Sequence, residues 1–227
     1  MKINENFAGL PENYLFSETS RKKGEFLKRE PGAEIIDLGI GDVRLPIAKT
    51  VVAAMKRAAA EEEHIKTFRG YPPTAGYPFL RKAVSALYQK NGISVSEDEI
   101  FISDGAKSNI VDFIGLFSAS RALISDPSYP AYAEIAVLSG KTPVYIKGTA
   151  ENGFLPLPDE NTGENLIIIL CSPGNPTGET YSKEDLEKWV KFALATSSVI
   201  IFDAAYRDYV TEEKPFSVFE IKGAEKC

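Results

Sequence analysis

Two polar residues, Asn175 and Asp203, closely follow strongly apolar runs of the sequence. The runs NLIIILC and SVIIFD are predicted to be buried strands, and the segment between them has the apolar spacing of one helix. A strand, a helix and a strand in this order place two parallel strands side by side, so that their carboxyl ends meet at one edge of a sheet. We therefore expect an amide and a carboxylate to lie close together there. Taken singly, each residue is better explained as a turn former or a loop cap.

The segment SDGAKSN, between a predicted strand and a predicted helix, is a candidate phosphate site. The backbone N–H groups of Gly105, Ala106 and Lys107 would lie at a helix N-terminus, where unpaired donors and the helix dipole favour an anion. An ordinary helix cap is the more common role of such a turn, so both interpretations stay open.

Three tyrosines also lie near predicted strand ends. Tyr129 and Tyr132 belong to the segment DPSYPAY, and either ring could stack on a flat ligand, although packing is the more common role. Tyr206 follows Asp203 by three residues in the segment DAAY. An amide, a carboxylate, a phenol, an aromatic ring and a phosphate site at successive strand ends are what a phosphorylated aromatic cofactor needs.

The rest of the sequence predicts the elements that position these residues. Apolar runs alternate with segments of helical period, which is typical of an α/β fold with a mostly parallel sheet flanked by helices. Strands are predicted over 34–40, 99–103, 121–126, 142–147, 165–171 and 198–203. Helices are predicted over 17–29, 48–63, 77–92, 106–118, 131–140 and 183–195.

The amino-acid composition of the chain limits which kinds of molecule it is expected to bind. The 227 residues carry a formal net charge of -6, which disfavours binding to phosphodiester backbones and to anionic lipid headgroups. No group of Cys and His residues has the spacing of metal ligands, so no metal site is expected. The two cysteines fit free thiols, and the N-terminus lacks the apolar stretch of a signal peptide, so we expect a cytoplasmic protein.

Taken together, the motifs resemble the class I and II aminotransferases, the fold-type-I enzymes that use pyridoxal phosphate. NPTG at 175–178, DAAY at 203–206 and the 28 residues that separate their first positions match the pattern of that family. The resemblance extends over essentially the whole chain and includes the segments LGIGDV, KTFRGYPPTAGYPFLR, ISDGAKS and DPSYPAY. It implies an N-terminal arm with a small-domain or interface segment over 1–40 and an incomplete cofactor-binding large domain over 41–227.

The resemblance also implies roles around pyridoxal 5′-phosphate. Asp203 would hold the pyridinium nitrogen, which keeps the ring an acceptor of electrons. Asn175 and Tyr206 would bind the phenolic oxygen, and Tyr129 would stack on the ring face. The phosphate would lie on Gly105, Ala106 and Lys107.

For substrates, the resemblance implies an amino acid and a 2-oxo acid, with a dicarboxylic amino acid and 2-oxoglutarate as the first choice, and a homodimer as the assembly. The residues implied in substrate binding are Tyr14, Gly41, Tyr71, Lys107 and Asn175. Positions 73–75 and 108–109 depart from the expected pattern of the family. Another amino acid aminotransferase, including an aromatic one, therefore stays open as an alternative, and so does a non-catalytic remnant or binding module.

The family's cofactor-linking lysine lies in a Ser-x-Ser-Lys stretch after the DAAY strand, and the resemblance places that stretch beyond Cys227. Lys107 would lie at the phosphate, and Lys222 and Lys226 fall in a connecting segment. We therefore expect no catalytic residue within these 227 residues, no activity of the chain alone, and a missing C-terminal half as a further partner.

Overall fold

The computed structural model describes residues 2–11, 15–39, 41 and 45–227. The chain divides into two compact units, one of residues 1–10 and 78–227 and one of residues 11–77. The division made from the sequence, an arm over 1–40 and a large domain over 41–227, stays a prediction. In the part of the chain that is described, no helix combines the length and the apolar character needed to cross a membrane.

In its described residues, the unit of residues 11–77 contains two helices, α1 (Leu15–Arg29) and α2 (Lys49–Glu61). The predicted helix over 17–29 is confirmed, and α2 lies within the predicted helix over 48–63. Ion pairs on the surface of α1 join Arg21 to Glu18 at 2.6 Å and to Glu25 at 2.6 Å. These spacings of three and four residues place opposite charges on one face of the helix, where they favour the helical conformation.

The larger unit is built on a parallel sheet of four strands. The strands are β1 (Arg121–Asp126), β2 (Thr142–Lys147), β3 (Leu166–Cys171) and β4 (Val199–Asp203), in the order β2-β1-β3-β4. All four were predicted from the sequence, two of them with the same bounds. The continuous apolar run of β3 is explained by its place, because this strand has a partner on each side and its residues 166–170 are at most 4% exposed.

Four helices accompany the sheet: α3 (Pro78–Lys90), α4 (Ala106–Leu116), α5 (Ala131–Leu138) and α6 (Lys183–Ala195). Helices α4 and α5 pack on one face of the sheet, where Ile167 and Ile169 of β3 contribute to the core. Helix α6 packs on the other face, where Leu166, Ile168 and Leu170 contribute. Because successive strand residues point to opposite faces, one strand serves both cores. The α/β class with a parallel sheet between helices is confirmed.

Two of the predicted strands are wrong. The described residues of the first, 34–39, form no strand, and Ile36 is 83% exposed there. In the second, 99–103, Ser96 and Glu99 form a capping box that turns Glu97–Glu99 into a 3-10 helix, and 100–103 form no ladder. Both segments have apolar residues of the strand type. A strand also needs a neighbouring strand for its backbone hydrogen bonds, and neither segment has one among the described residues.

The core on the α6 side yields a stability test. Leu186 of α6 is fully buried, whereas Leu194 of the same helix is 44% exposed. We expect Leu186→Ala to lower the free energy of unfolding by about 2–5 kcal/mol, because a buried leucine leaves a cavity when it is truncated. Leu194→Ala, the same chemical change at a half-exposed position, should cost less than about 1 kcal/mol. Urea unfolding measures both values, and equal losses would contradict the assignment of Leu186 to the core.

Candidate functional site

The carboxyl ends of β3 and β4 lie side by side. Cys171, the last residue of β3, is paired in register with Asp203, the last residue of β4, and the Ser172 N–H donates to the Asp203 carbonyl at 2.9 Å. The strand–helix–strand unit expected from the sequence is therefore confirmed. The turn that contains Asn175 follows Cys171, so it begins beside the residue that carries the Asp203 carboxylate.

From the described residues, the carboxylate of Asp203 accepts two hydrogen bonds, one on each oxygen. The Tyr132 hydroxyl donates to Oδ2 at 2.7 Å, and the Ala205 N–H donates to Oδ1 at 3.0 Å. Asp203 thus caps the loop that follows β4 and is also held by a side chain of α5. Each carboxylate oxygen has more than one lone pair, so this arrangement leaves acceptor capacity for a ligand.

Tyr132 is the buried partner in this pair. Its side chain is 2% exposed and belongs to the core under α4 and α5. Burial raises the pKa of the Tyr132 hydroxyl above its ordinary value, and the neighbouring Cys171 and Asp203 raise it further. A phenol already keeps its proton up to a pH of about 10. Tyr132 is therefore a neutral donor to the carboxylate at every pH at which proteins normally work.

Tyr129 and Lys107 continue this line of contacts. The ring of Tyr129 meets the ring of Tyr132 edge-on, with centroids 5.5 Å apart and planes at 88°. The Nζ atom of Lys107 lies 5.6 Å from the centroid of the Tyr129 ring. Cationic and edge-on contacts of this kind are attractive, because the face of an aromatic ring is electron-rich. An unbroken path of contacts therefore joins the start of α4 to the end of β4.

The N-terminus of α4 has the features of an anion site. Gly105 is the N-cap residue, and it has no side chain with which to cap the first turn. Ala106 and Lys107 are the first two residues of α4, where the positive end of the helix dipole favours an anion. The Gly105 N–H itself donates to the Ser103 hydroxyl oxygen at 3.3 Å.

The turn after β3 is closed by its own backbone. The Gly174 N–H donates to the Glu179 carbonyl at 2.8 Å, and the Gly178 N–H donates to the Gly174 carbonyl at 2.8 Å. The Asn175–Pro176 bond is cis. The side chain of Asn175 is half-buried at this turn, and its amide has no hydrogen-bond partner among the residues that the structure describes.

Cys171 lies beneath this turn, where its thiol donates to the Pro173 carbonyl at 3.2 Å. Burial raises the pKa of the Cys171 thiol, and the charge of Asp203 adds to this increase. Hydrogen bonds with the Tyr132 hydroxyl and with the Asn175 backbone lower the same pKa. The net direction is upward. Cys171 is therefore a protonated, packed thiol at neutral pH rather than a nucleophile.

Tyr206 is more exposed than the other site tyrosines. Its side chain is 42% exposed and its ring lies 6.3 Å from that of Tyr209. Its hydroxyl has no hydrogen-bond partner within the described ranges of the chain. The structure thus joins Lys107, Tyr129, Tyr132 and Asp203 by contacts and places Asn175 and Tyr206 just beyond neighbouring strand ends.

Two described residues that are predicted to bind substrate fall outside the larger unit. Gly41 and Tyr71 belong to the unit of residues 11–77, in which both are exposed. Tyr14 lies outside the described residues. Their roles in substrate binding stay predictions.

Sequence reasoning missed the role of Tyr132. The segment DPSYPAY suggested that either tyrosine could stack on a ligand, but the Tyr132 hydroxyl points at Asp203 and its ring is in the core. The available signal was the spacing of three residues between the tyrosines. It places Tyr132 in the first turn of α5 and Tyr129 just before the N-cap Pro130, and the Tyr132 N–H donates to the Tyr129 carbonyl at 3.1 Å. The partner, 71 residues away in sequence, carried no signal.

Comparisons with known proteins agree with this architecture. The family model for aminotransferase class I and II matches residues 33–226, and the chain belongs to this family. An LL-diaminopimelate aminotransferase of Agathobacter rectalis is 45% identical over the whole chain, and one of Methanosphaera stadtmanae is 42% identical over 99% of it. The chain spans 59% and 57% of the lengths of these relatives.

Solved structures show the same fold. The L,L-diaminopimelate aminotransferase of Chlamydomonas reinhardtii superposes with a TM-score of 0.84 at 34% identity, over 99% of this chain and 58% of its own. A single mutant of Thermus thermophilus aspartate aminotransferase superposes with a TM-score of 0.83 at 22% identity, over 98% of this chain and 58% of its own, which speaks for the fold alone. The fold is that of the fold-type-I aminotransferases, whose family uses pyridoxal phosphate in general.

The start of α4 yields a second stability test. Gly105 has φ 154° and ψ 169°, a backbone conformation that is open essentially to glycine alone. We expect Gly105→Ala to lower the free energy of unfolding by about 1–3 kcal/mol because the alanine side chain strains this backbone. Gly115, near the end of α4, has open space where a Cβ would lie. Gly115→Ala should raise the free energy of unfolding by about 0.5–1 kcal/mol.

Chemical denaturation of the two variants measures this difference. Opposite signs for the same glycine-to-alanine change are the expected result. A neutral Gly105→Ala variant would mean that the start of α4 adopts another conformation in solution.

Proposed function

We propose that the chain binds pyridoxal phosphate at the carboxyl ends of its strands and forms the cofactor-binding part of an aminotransferase. The path of contacts from Lys107 through Tyr129 and Tyr132 to Asp203 carries this proposal. It connects a site for a phosphate, an aromatic ring and a carboxylate in one continuous row. A phosphorylated pyridine ring has the complementary groups in the same order.

The donor set fits each part of this cofactor. The first-turn N–H groups of Ala106 and Lys107, with Gly105 as the N-cap, suit the phosphate. The ring of Tyr129 suits the face of the pyridine ring, and the Asp203 carboxylate suits its nitrogen. The amide of Asn175 and the hydroxyl of Tyr206 suit the phenolic oxygen, since neither has another partner among the described residues.

The chemistry of the bound cofactor is to accept electrons from the substrate Cα, which lets an amino group move between an amino acid and a 2-oxo acid. The residues of this chain hold and orient the ring. Asp203 places a negative charge at the ring nitrogen, and Tyr129 limits the position of the ring by covering one face. Holding the reactants in a fixed geometry raises the rate, because their translational and rotational entropy is already lost on binding and not in the chemical step.

For the substrate, we propose LL-diaminopimelate as the amino donor and 2-oxoglutarate as the acceptor, a reaction of lysine biosynthesis. The support is that two relatives at 42–45% identity carry the name LL-diaminopimelate aminotransferase, and that a solved structure with this name has the same fold. The residues proposed to contact the substrate are Tyr14, Gly41, Tyr71, Lys107 and Asn175.

Two properties of the assembly belong to the same proposal. We propose a homodimer, since the larger unit exposes apolar side chains such as Phe79, Phe101 and Leu116 that a second copy would cover. We also propose that the protein is cytoplasmic, since Cys171 and Cys227 are both free thiols.

The proposed contact of Asp203 with the cofactor is tested by titration. We expect Asp203→Ala to weaken the binding of pyridoxal phosphate by about 10- to 150-fold, because a hydrogen bond to a charged group is lost. Asp208 lies five residues on, is exposed, and belongs to the 3-10 turn Arg207–Tyr209. Asp208→Ala makes the same chemical change near the site and should leave the affinity for pyridoxal phosphate unchanged within about twofold.

Fluorescence titration with pyridoxal phosphate gives both dissociation constants. If the two variants bind the cofactor equally well, Asp203 does not contact it. If the unmodified chain does not bind pyridoxal phosphate, the proposed function is wrong.

We expect catalysis to need a lysine that links the cofactor, and we expect that Lys107, Lys222 and Lys226 do not serve as this lysine. The Nζ atom of Lys107 lies over the Tyr129 ring beside the proposed phosphate site, and the other two are exposed in the segment after β4. The 227 residues alone should therefore transfer no amino group from LL-diaminopimelate to 2-oxoglutarate. A loss of general-base catalysis alone costs a factor of about 10²–10⁴ in rate.

A chimeric protein adds a positive control to this activity test. In it, the 227 residues are followed by the remaining C-terminal part of the Agathobacter rectalis relative. The chimera should transfer the amino group, and Asp203→Ala within it should reduce the transfer. Turnover by the 227 residues alone, with a cofactor adduct on one of the three lysines after borohydride reduction, would overturn the expectation.

A further inference from the structure

The hydroxyl of Tyr132 donates to the carboxylate of Asp203 at 2.7 Å, and the Cys171 thiol is a second neighbour of the same hydroxyl. We propose that Tyr132 is a positioning residue, whose hydroxyl holds the Asp203 carboxylate in the orientation that receives a protonated ring nitrogen. This inference rests on the proposed function, since it concerns how the same site recognises its ligand.

The helix that carries Tyr132 is packed against the sheet. Helix α5 is buried along one side, with Ala131, Ile135 and Ala136 in the core between α5 and the sheet. Tyr132 is 2% exposed in the same core, and its ring meets the Tyr129 ring edge-on at 5.5 Å. The hydroxyl at the end of this ring is therefore fixed in space before any ligand arrives, which is the condition for a preorganised contact.

The residue that Tyr132 holds is less constrained by itself. Asp203 is half-buried at the end of the sheet, and exposed residues follow it at positions 205 and 206. Its other hydrogen bond comes from the Ala205 N–H at 3.0 Å, in the exposed loop. Without the Tyr132 hydroxyl, only this loop would orient the carboxylate, and rotation about the Cβ–Cγ bond would become freer. The binding of a ligand would then have to fix that rotation.

The chemical class of ligand follows from this geometry. An oriented carboxylate beside an aromatic ring recognises a flat, nitrogen-containing ring whose N–H points at the carboxylate. A ring of the same shape with C–H in place of the nitrogen can stack on Tyr129 but cannot donate to Asp203. Tyr132 should therefore influence the binding of the ring that carries the N–H group and not that of the ring that carries C–H in its place.

The experiment compares two ligands on two variants. The ligands are pyridoxal phosphate and its carbocyclic analogue, in which C–H replaces the ring nitrogen. Tyr132→Phe removes the hydroxyl and keeps the ring, so the contact with Tyr129 is retained. We expect Tyr132→Phe to weaken the binding of pyridoxal phosphate by about 3- to 10-fold and that of the analogue by less than about twofold, measured by calorimetric titration.

Tyr181→Phe is the matched control. Tyr181 is also buried, and its hydroxyl donates to the Pro156 carbonyl at 3.3 Å in the core on the α6 side of the sheet. This variant loses a buried hydroxyl of the same kind away from the site, and its affinity for both ligands should match that of the unmodified chain. In the Asp203→Ala background, Tyr132→Phe should have no further effect, because two changes in one interaction are not additive.

The outcomes separate the two hypotheses. If the unmodified chain prefers pyridoxal phosphate to the analogue, and Asp203→Ala removes this preference but Tyr132→Phe leaves it intact, the positioning role is wrong and the proposed function stands. Equal weakening of both ligands by Tyr132→Phe also overturns the positioning role, because it indicates general damage to the fold. If the unmodified chain binds neither ligand, or Asp203→Ala leaves the preference intact, the proposed function fails and the inference with it.

A second measurement needs no variant and applies even if Tyr132→Phe does not fold. With isotope-labelled tyrosine in the unmodified chain, the nuclear magnetic resonance signal of the Tyr132 Cζ atom should shift when pyridoxal phosphate is added. The analogue should produce less than about half of that shift, since it leaves the carboxylate without a new donor. Equal shifts from both ligands would contradict the proposal.

Discussion

The pairing of β3 with a parallel strand on each side is the constraint on which the rest of the structure depends. The residues of β3 are buried from both faces, so its backbone N–H and C=O groups must bond to β1 and β4. Parallel pairing then places the carboxyl ends of the strands at one edge. The turn that carries Asn175 and the side chain of Asp203 lie next to each other for this reason.

The same pairing determines which face of the sheet carries the site. Alternation along β4 places Val199 and Ile201 with the core under α4 and α5, and Asp203 follows in the same alternation. Helix α5 packs on that face and brings Tyr132 to the end of β4. A buried phenol and a half-buried carboxylate would each be costly without a partner, and together they satisfy each other. The hydrogen bond that orients the site thus also completes the core.

Local sequence patterns predicted most of the architecture because they depend on local physics. The four strands of the sheet are apolar runs bounded by polar or turn residues, and helices α1–α6 have helical spacing of apolar residues, so their existence follows from neighbours in sequence. The segments 34–40 and 99–103 have similar composition but form no strand in their described residues. In the second segment, the capping box of Ser96 and Glu99 provides a competing local structure.

The sequence alone determined the α/β class, the order of the elements from β1 to β4, and the candidates Asn175, Asp203, Tyr129 and Gly105–Lys107, because each lies at or just after a recognisable apolar run. Only the tertiary structure decided how these candidates are connected. Tyr132 and Asp203 are 71 residues apart, and their hydrogen bond exists because α5 and β4 pack on the same side of the sheet. Likewise, Lys107 lies over Tyr129 because α4 and α5 pack side by side. Contacts between distant residues depend on how faces are buried against one another, and a pattern of neighbouring residues does not contain that information.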